Sequence, residues 1–354
     1  MEFRKLDNKY MDECISIAFN QYCKEQRSVA ALYDKDYRKE IYKSIHAIFE
    51  CGNGVMAFEE DKLVGYLAFS RIWEETVGSE LINAIACPLC GYGISEGYDR
   101  AKVASLMFQH ASEILCKKAV ALYNIKVYAH DTEVITSYVL NNFGILCTDA
   151  IRSTDSTVCS IGSEDSLIDI EPLASIDSLV TTGSPISTNS ARKYGYKELS
   201  KEEVNKNEEE LLKLWHELVK HLKTSPTYYQ GEEFTDDVYL EYIHDENTRL
   251  FVAKDDENII GMMDVSKDGN SFINKECDTM NVGDLFFKPN YRGLQAAEGL
   301  LSYVNDTLRK EGVKRIWVEH GTTNPTAQRF WSKYFGRFTY TLTRKIDGRI
   351  FNQI

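Results

Sequence analysis

The chain lacks the features that mark several large classes of protein. Of its 354 residues, 41 are lysine or arginine and 54 are aspartate or glutamate, which gives a net charge of -13. Such a chain has no excess of cations to neutralise the phosphates of nucleic acids or the head groups of anionic lipids. A cationic small substrate suits this charge, but solubility explains it equally well. We therefore expect neither nucleic acid nor a membrane surface as a partner.

Long apolar runs and complete metal-ligand motifs are also absent. No stretch approaches the roughly 20 apolar residues that a membrane-spanning helix needs. The segment from Met1 to Asp7 lacks the apolar core of a signal peptide. The nine cysteines are irregularly spaced, and the one Cys-x-x-Cys, Cys87 to Cys90, has no second pair or matched histidines to complete a zinc site. We expect a cytoplasmic protein with reduced thiols and no metal.

The length of the chain and its turn signals predict two α/β domains. A single hydrophobic core rarely organises 354 residues. In the C-terminal half, Pro289, Gly312 and the Asn324-Pro325 pair separate strand patterns from helix patterns. The predicted order is a hairpin (250–265), a strand (282–288), a helix ending at Gly312, a strand (313–318), a helix from 324 and a strand (338–345).

The N-terminal half repeats this order with weaker signals, which indicates an internal duplication. Its predicted elements are a hairpin (55–69), a strand (81–86), a helix (101–117), a strand (125–129) and a helix opened by Asp131. Between the halves, residues 155–191 are rich in Ser, Thr, Asp and Gly and lack a sustained apolar period, as expected of a linker. We predict domains at 1–154 and 192–354, and an oligomer remains compatible with the sequence.

The segment Leu285 to Ala297 has the pattern of an anion-binding turn. An apolar strand ends and a turn of small residues opens a long helix, so that unpaired backbone N–H groups point into the turn. Arg292 can add charge-assisted bonds to a pyrophosphate there. Gly293, Ala296 and Ala297 allow a phosphate to approach the backbone closely. A plain strand-turn-helix with a solvated arginine is the alternative interpretation.

This segment resembles the acetyl-CoA pyrophosphate motif of the GNAT superfamily of acetyltransferases. Residues 313–318 and 324–331 resemble the strand and the helix that follow the motif in that family. The resemblance is clear over 282–338 and fainter over 251–265; the N-terminal half shares only the order of elements and the segment 131–144. It implies two GNAT-like domains, each with a mixed, mostly antiparallel sheet flanked by helices, of which the N-terminal one is a degenerate copy.

The resemblance also implies acetyl-CoA as co-substrate and direct transfer to a primary amine of a small molecule or peptide, without a metal. Two departures are visible: Gln295 replaces a glycine of the motif, and Trp331 stands where the family often has a tyrosine that protonates the departing thiolate. A non-catalytic acyl-CoA-binding or sensing protein is therefore the alternative function, and a scaffold without nucleotide is a third. Asn324 is implied to contact CoA, although its place as a helix N-cap explains it too. The residues implied to hold the cofactor are Phe286, Phe287, Arg292, Gly293, Leu294, Gln295, Ala296, Ala297 and Asn324.

A base for the amine and an acid for the thiolate are required by this chemistry. Asp284 is the first candidate base, since strand alternation places it on the same face as Phe286, although a surface aspartate is the simpler interpretation. Glu319 and His320, at the end of the next strand, are the alternatives. Tyr334 is the candidate acid in place of Trp331.

One further segment can be assigned to the acceptor site only by the resemblance. It contains Tyr228, Tyr229 and Phe234 beside several acidic residues. Aromatic rings next to carboxylates can hold a cation. A solvated loop with a few core anchors is the alternative for this segment.

Overall fold

The computed structural model describes residues 1–77, 79–156, 194–229 and 235–352. Most of the predicted linker, and Phe234 of the predicted acceptor segment, lie outside these residues. Strands and helices alternate in both halves, and the sheets are mostly antiparallel, so the predicted α/β class is confirmed. Among the described residues no helix is both long and apolar enough to cross a membrane.

The N-terminal half contains eight strands and four helices among its described residues. The strands are β1 (Glu2–Arg4), β2 (Asn53–Glu59), β3 (Lys62–Phe69), β4 (Trp73–Val77), β5 (Glu80–Cys87), β6 (Tyr92–Ile94), β7 (Val120–Tyr128) and β8 (Gly144–Ser153). The helices are α1 (Met11–Ser28), α2 (Arg38–Phe49), α3 (Arg100–Cys116) and α4 (Thr132–Leu140). The predicted hairpin, strands and helices of this half all appear at the expected places.

The C-terminal half repeats the arrangement. Its strands are β9 (Gly195–Glu198), β10 (Arg249–Asp255), β11 (Asn258–Ser266), β12 (Thr279–Phe287), β13 (Arg315–Gly321) and β14 (Gly336–Lys345). Its helices are α5 (Lys201–Lys223), α6 (Asp236–His244), α7 (Ala296–Lys310) and α8 (Pro325–Trp331). Helix α5 begins with a capping box, in which the Ser200 side chain accepts from the Glu203 N–H and the Glu203 carboxylate accepts from the Ser200 N–H.

One ten-stranded sheet runs through both halves, in the order β4-β5-β7-β14-β8-β13-β12-β11-β10-β9. Among the strands that the structure describes, only the pairs β5–β7 and β12–β13 are parallel. The last strand of the chain, β14, lies between β7 and β8, and β8 in turn pairs with β13. The final strand of each half therefore pairs with strands of the other half. The sheet is continuous across the predicted linker between the two halves.

Four apolar clusters cover the two faces of the sheets. In the C-terminal half, α7 and α8 pack on one face through Leu300, Val304 and Trp331. On the opposite face, α5 and α6 pack through Leu214, Trp215 and related residues. The amphipathic spacing seen in the sequence thus places a helix layer on each side of β11, β12 and β13. These three strands carry the residues of the candidate site.

The two parallel strand pairs differ in the length over which the strands are hydrogen-bonded. Strands β5 and β7 are paired along the segments 83–87 and 120–125. Strands β12 and β13 are paired only at 279–281 and 315–317, and no further pairing follows although both strands continue. In the C-terminal half, β12 and β13 therefore separate and leave a wedge-shaped gap between them. In the N-terminal half, the equivalent strands β5 and β7 stay paired and the wedge is closed.

Candidate active site

The wedge leads to a cavity at the end of β12. Its walls come from the end of β12, the start of α7, helix α8 and the last turns of α5. Apolar side chains dominate, with a few polar groups among them, as in many small-molecule sites. The lining includes Leu218, His221, Phe286, Phe287, Arg292, Gly293, Ala297, Glu298, Asn324 and Trp331. Six of the nine residues predicted to hold the cofactor lie here; Leu294, Gln295 and Ala296 do not line the cavity.

The turn before α7 leaves its backbone N–H groups directed outward. Gly293 has φ +75° and Gln295 has φ +62°, so two left-handed residues reverse the chain before the helix begins. Gln295 occupies a conformation that a glycine adopts without strain. The Arg292 Nε donates to the Phe287 carbonyl oxygen at 3.0 Å, and its guanidinium lies 5.0 Å from the Phe286 ring. The arginine is thus held at the cavity mouth beside the first turn of α7, where the helix dipole favours an anion.

Backbone alternation selects one amide of β12 for the wedge. The Lys288 N–H donates to the Ile260 carbonyl of β11 at 2.9 Å. Because N–H groups alternate in direction along a strand, the Phe286 N–H also faces β11, and the Phe287 N–H faces the wedge. Of these two residues, Phe287 therefore has the backbone amide that faces the wedge.

Strand β12 contains a bulge at the predicted base. Met263 pairs with Leu285 and Val265 pairs with Val282, so β12 has one more residue than β11 across this interval. The extra residue lies in the Gly283–Asp284 segment, directly opposite Asp264. The bulge turns Asp284 outward, where it is exposed to solvent next to Leu285 and does not itself line the cavity.

Asp264 lies behind the bulge and is almost completely buried, with 4% of its surface exposed. Its Oδ1 accepts from the Asp284 N–H at 2.7 Å, and its carboxylate also accepts from the Tyr242 hydroxyl at 2.6 Å. Burial and the nearby charge of Asp284 raise the pKa of Asp264 to about 7, against the opposing effect of the Tyr242 hydrogen bond. Desolvation of its carboxyl raises the pKa of Asp284 as well, although the residue keeps contact with solvent.

The other candidate base, Glu319, belongs to a different cluster. It pairs in register with Asp149 of β8, and its carboxylate lies 3.7 Å from the Lys126 ammonium. Burial, followed by the charge of Asp149, raises the pKa of Glu319, while Lys126 lowers it. Lys126 also forms a 2.8 Å ion pair with Asp149. Glu319 does not line the cavity, so the structure places it at the junction of the two halves rather than beside Asp284.

The predicted acid and the alternative base are both enclosed by protein. Tyr334 is 6% exposed and does not line the cavity; burial and the neighbouring Glu298 raise its pKa. Trp331 does line the cavity. His320 is 7% exposed, neither ring nitrogen has a hydrogen-bond partner in the described part of the chain, and burial lowers its pKa to about 4. A histidine in that state is neutral at physiological pH.

The corresponding region of the N-terminal half is filled by its own side chains. Arg100, at the start of α3, forms a bidentate pair with Asp131, and the Tyr92 hydroxyl donates to the same carboxylate at 3.0 Å. Cys87 and Cys90 are buried free thiols, and burial raises the pKa of each. Strands β5 and β7 stay paired up to the end of β5, and these side chains lie where the C-terminal half has its cavity.

Three residues of the site were not predicted from the sequence. Asp264 lies within the apolar segment of β11. Because charged residues are rarely buried without a partner, its position there could have indicated a functional residue. Tyr242 and His221 gave no signal, because each sits on a helix at a position that suits the surface or the core equally well. Tyr228 and Tyr229, assigned to the acceptor site by resemblance, are exposed by 66% and 52%.

Comparison with known proteins places this site in a family. The model described as the Acetyltransferase (GNAT) family matches residues 215–336, which include β12, the turn with Arg292, α7 and β13. Residues 215–336, about a third of the chain, therefore have the sequence pattern of the GNAT family. The resemblance predicted for the C-terminal half is confirmed, and the cavity lies within the matched GNAT segment.

Individual relatives agree with this assignment. An uncharacterized N-acetyltransferase of Mycobacterium bovis is 26% identical over 110 residues, which cover 31% of this chain and 66% of that protein. An uncharacterized N-acetyltransferase of Mycobacterium tuberculosis gives the same values. The matched GNAT region thus spans about two thirds of the length of these relatives.

The fold likeness extends further along the chain than the sequence likeness. The crystal structure of a GCN5-related N-acetyltransferase from Sphaerobacter thermophilus aligns with 97% of this chain and 95% of its own, with a TM-score of 0.51 and 11% identity. At that identity the alignment shows the fold alone. The GNAT-like architecture therefore includes the N-terminal half, where the family model finds no match.

Proposed function

We propose that the protein transfers an acetyl group from acetyl-CoA to a primary amine of a small molecule or peptide. The observation that carries this proposal is the cavity at the end of β12, beyond the point where this strand separates from β13, with Arg292 and the first turn of α7 at its mouth. The free edges of the diverging strands can pair with the pantetheine amides as with an added strand. The pyrophosphate then meets Arg292 and the helix N-terminus.

The residues of the wedge suit direct transfer. The amine nitrogen attacks the thioester carbonyl carbon, and its proton passes to the Asp284 carboxylate, either directly or through water. The Phe287 N–H is directed to stabilise the oxyanion that forms. The carbon–sulfur bond then breaks, and the thiolate leaves and takes up a proton. The products are the acetamide and free CoA.

An amine as acceptor agrees with the charges beside the wedge. Asp264, Asp268, Asp284 and Glu319 all belong to β11, β12 or β13 or to the turn after β11. Lys126 compensates Asp149 and Glu319 but is not in contact with the Asp264–Asp284 pair. Carboxylates in excess favour a cationic acceptor and can take its proton.

Calorimetric titration with acetyl-CoA tests the binding step. We expect one site per chain, because the N-terminal wedge is closed. Arg292→Glu is expected to abolish binding, since it places a negative charge at the phosphate position. Arg309→Glu, the same change at the opposite end of α7, serves as the control and is expected to bind normally. Two sites, or unchanged binding by Arg292→Glu, would contradict the proposed placement.

Thiol release with a panel of amines tests the chemistry. We expect turnover with at least one primary amine, strongly reduced in Asp284→Asn, with the affinity for acetyl-CoA retained. Tyr334→Phe tests whether the predicted acid contributes; unchanged turnover in both variants would show that the catalytic assignment is wrong.

A non-catalytic acyl-CoA-binding protein is the second candidate. Trp331 favours it, because an indole N–H lines the cavity where a tyrosine hydroxyl would be a better acid. Binding of acetyl-CoA at one site per chain without thiol release on any amine would support this function over acetyl transfer.

A further inference from the structure

The proposed reaction uses Asp284, and a second carboxylate, Asp264, lies buried directly behind it. Asp264 is buried on β11 and has two donors within 2.7 Å, the Asp284 N–H and the Tyr242 hydroxyl. A buried carboxylate is unfavourable unless such donors compensate it. Its presence in an otherwise apolar strand therefore calls for a specific role.

The geometry of the bulge identifies that role. A Cβ atom on Gly283 would overlap Asp264 Oδ2, so the carboxylate fills the space that a side chain at position 283 would need. The same carboxylate holds the backbone of Asp284 through its N–H. Asp264 thus fixes the bulge, and the bulge sets the direction of the Asp284 side chain.

We propose that Asp264, held by Tyr242, is a positioning residue that aims Asp284 at the acceptor amine and sets the pH at which Asp284 can accept a proton. This inference rests on the proposed acetyl transfer. The charge on one carboxyl opposes ionisation of the other, so the two titrate together. The ionisable groups that face Asp264 from α6 are Tyr239 and Tyr242, and the charge of Asp268 also acts on Tyr242.

The hydrogen bond from Tyr242 provides a direct test, because it stabilises the charged form of Asp264. Removing it in Tyr242→Phe keeps Asp264 protonated to higher pH, so its charge opposes the ionisation of Asp284 less. We expect the acidic limb of the kcat/KM profile to move down by roughly one pH unit. The affinity for acetyl-CoA should stay within about twofold of wild type, since Tyr242 does not line the cavity.

Tyr239→Phe is the matched control. Tyr239 lies on the same helix, and its hydroxyl donates to the Met262 sulfur at 3.4 Å rather than to a carboxylate. The loss of a buried tyrosine hydroxyl is thus common to both variants, and only Tyr242→Phe should shift the pH profile. Equal shifts, or no shift in Tyr242→Phe while turnover persists, would overturn the inference and leave the acetyl transfer intact.

A second measurement does not depend on turnover. Carbon-13 NMR of labelled aspartate follows the Asp284 carboxyl directly as the pH is raised. We expect its titration to move in Tyr242→Phe and in Asp264→Asn, and to stay in place in Tyr239→Phe. If no amine is acetylated, the proposed function fails, and this titration decides separately whether Asp264 governs Asp284: an unmoved Asp284 titration in Asp264→Asn would refute it.

Discussion

Replacing Asp264 with asparagine should change how the stability of the protein depends on pH. The folded protein raises the pKa of this carboxyl from 3.8 to about 7. A carboxyl whose pKa is raised on folding stabilises the folded state most below its unfolded pKa, and this contribution is lost as the pH rises through the folded pKa. At about 1.4 kcal/mol per pKa unit, up to about 4 kcal/mol should be lost between pH 4 and pH 7.

Asparagine keeps the shape of the side chain and its acceptor oxygen but does not titrate. The difference in unfolding free energy between Asp264→Asn and wild type should therefore grow in favour of the variant from pH 4 to pH 7. Urea unfolding followed by tryptophan fluorescence at several pH values measures this difference. Asp268→Asn, the same change at an exposed position just after β11, is the control. A constant difference across the pH range would refute the assignment of a strained, buried carboxyl to Asp264.

Three other substitutions test separate parts of the site. Gly283→Ala should disrupt the bulge and reduce turnover at least tenfold, measured by thiol release, whereas Gly321→Ala should be tolerated because its Cβ would have no atom within 4 Å. Gln295→Gly should raise the unfolding free energy by about 1 kcal/mol in urea unfolding by relieving the left-handed conformation; destabilisation would contradict this. His320→Gln should reduce the loss of stability on acidification from pH 6.5 to 4, about 3 kcal/mol in wild type, because burial lowers the pKa of this histidine to about 4; equal acid sensitivity would show that His320 is not the cause.

The order of elements could be predicted from the sequence because it depends on local signals. Pro289 ends a strand, Gly312 follows the last turn of a helix, and Asn324 caps the next one, and each acts within a few residues. The anion-binding turn was predictable for the same reason. The turn lies beside a cavity because it joins the end of a strand to the start of a helix, and the N-terminus of that helix is where an anion binds.

The strand order of the sheet and the contact between Asp264 and Asp284 depend on long-range pairing, and local sequence patterns do not predict them. The exchange of β8 and β14 joins residues almost 200 positions apart, such as Asp149 and Thr339. The contact between Asp264 and Asp284 depends on a one-residue bulge, which no periodicity indicates. Glu319 was named as a base because it follows the expected strand, yet its neighbours Lys126 and Asp149 come from the other half.

The N-terminal half supports the site through the sheet rather than through a second cavity. Strand β8 flanks β13 along 315–321 and so holds the far wall of the wedge, while β12 is free to diverge from it. Lys126 on β7 compensates the charge of Asp149 and Glu319 at the same junction. Because β14 lies between β7 and β8, the second half completes its sheet only with strands of the first. The pairing of β5 with β7 in the N-terminal half is consistent with this supporting role. Strand β7 in turn pairs with β14, and β14 pairs with β8.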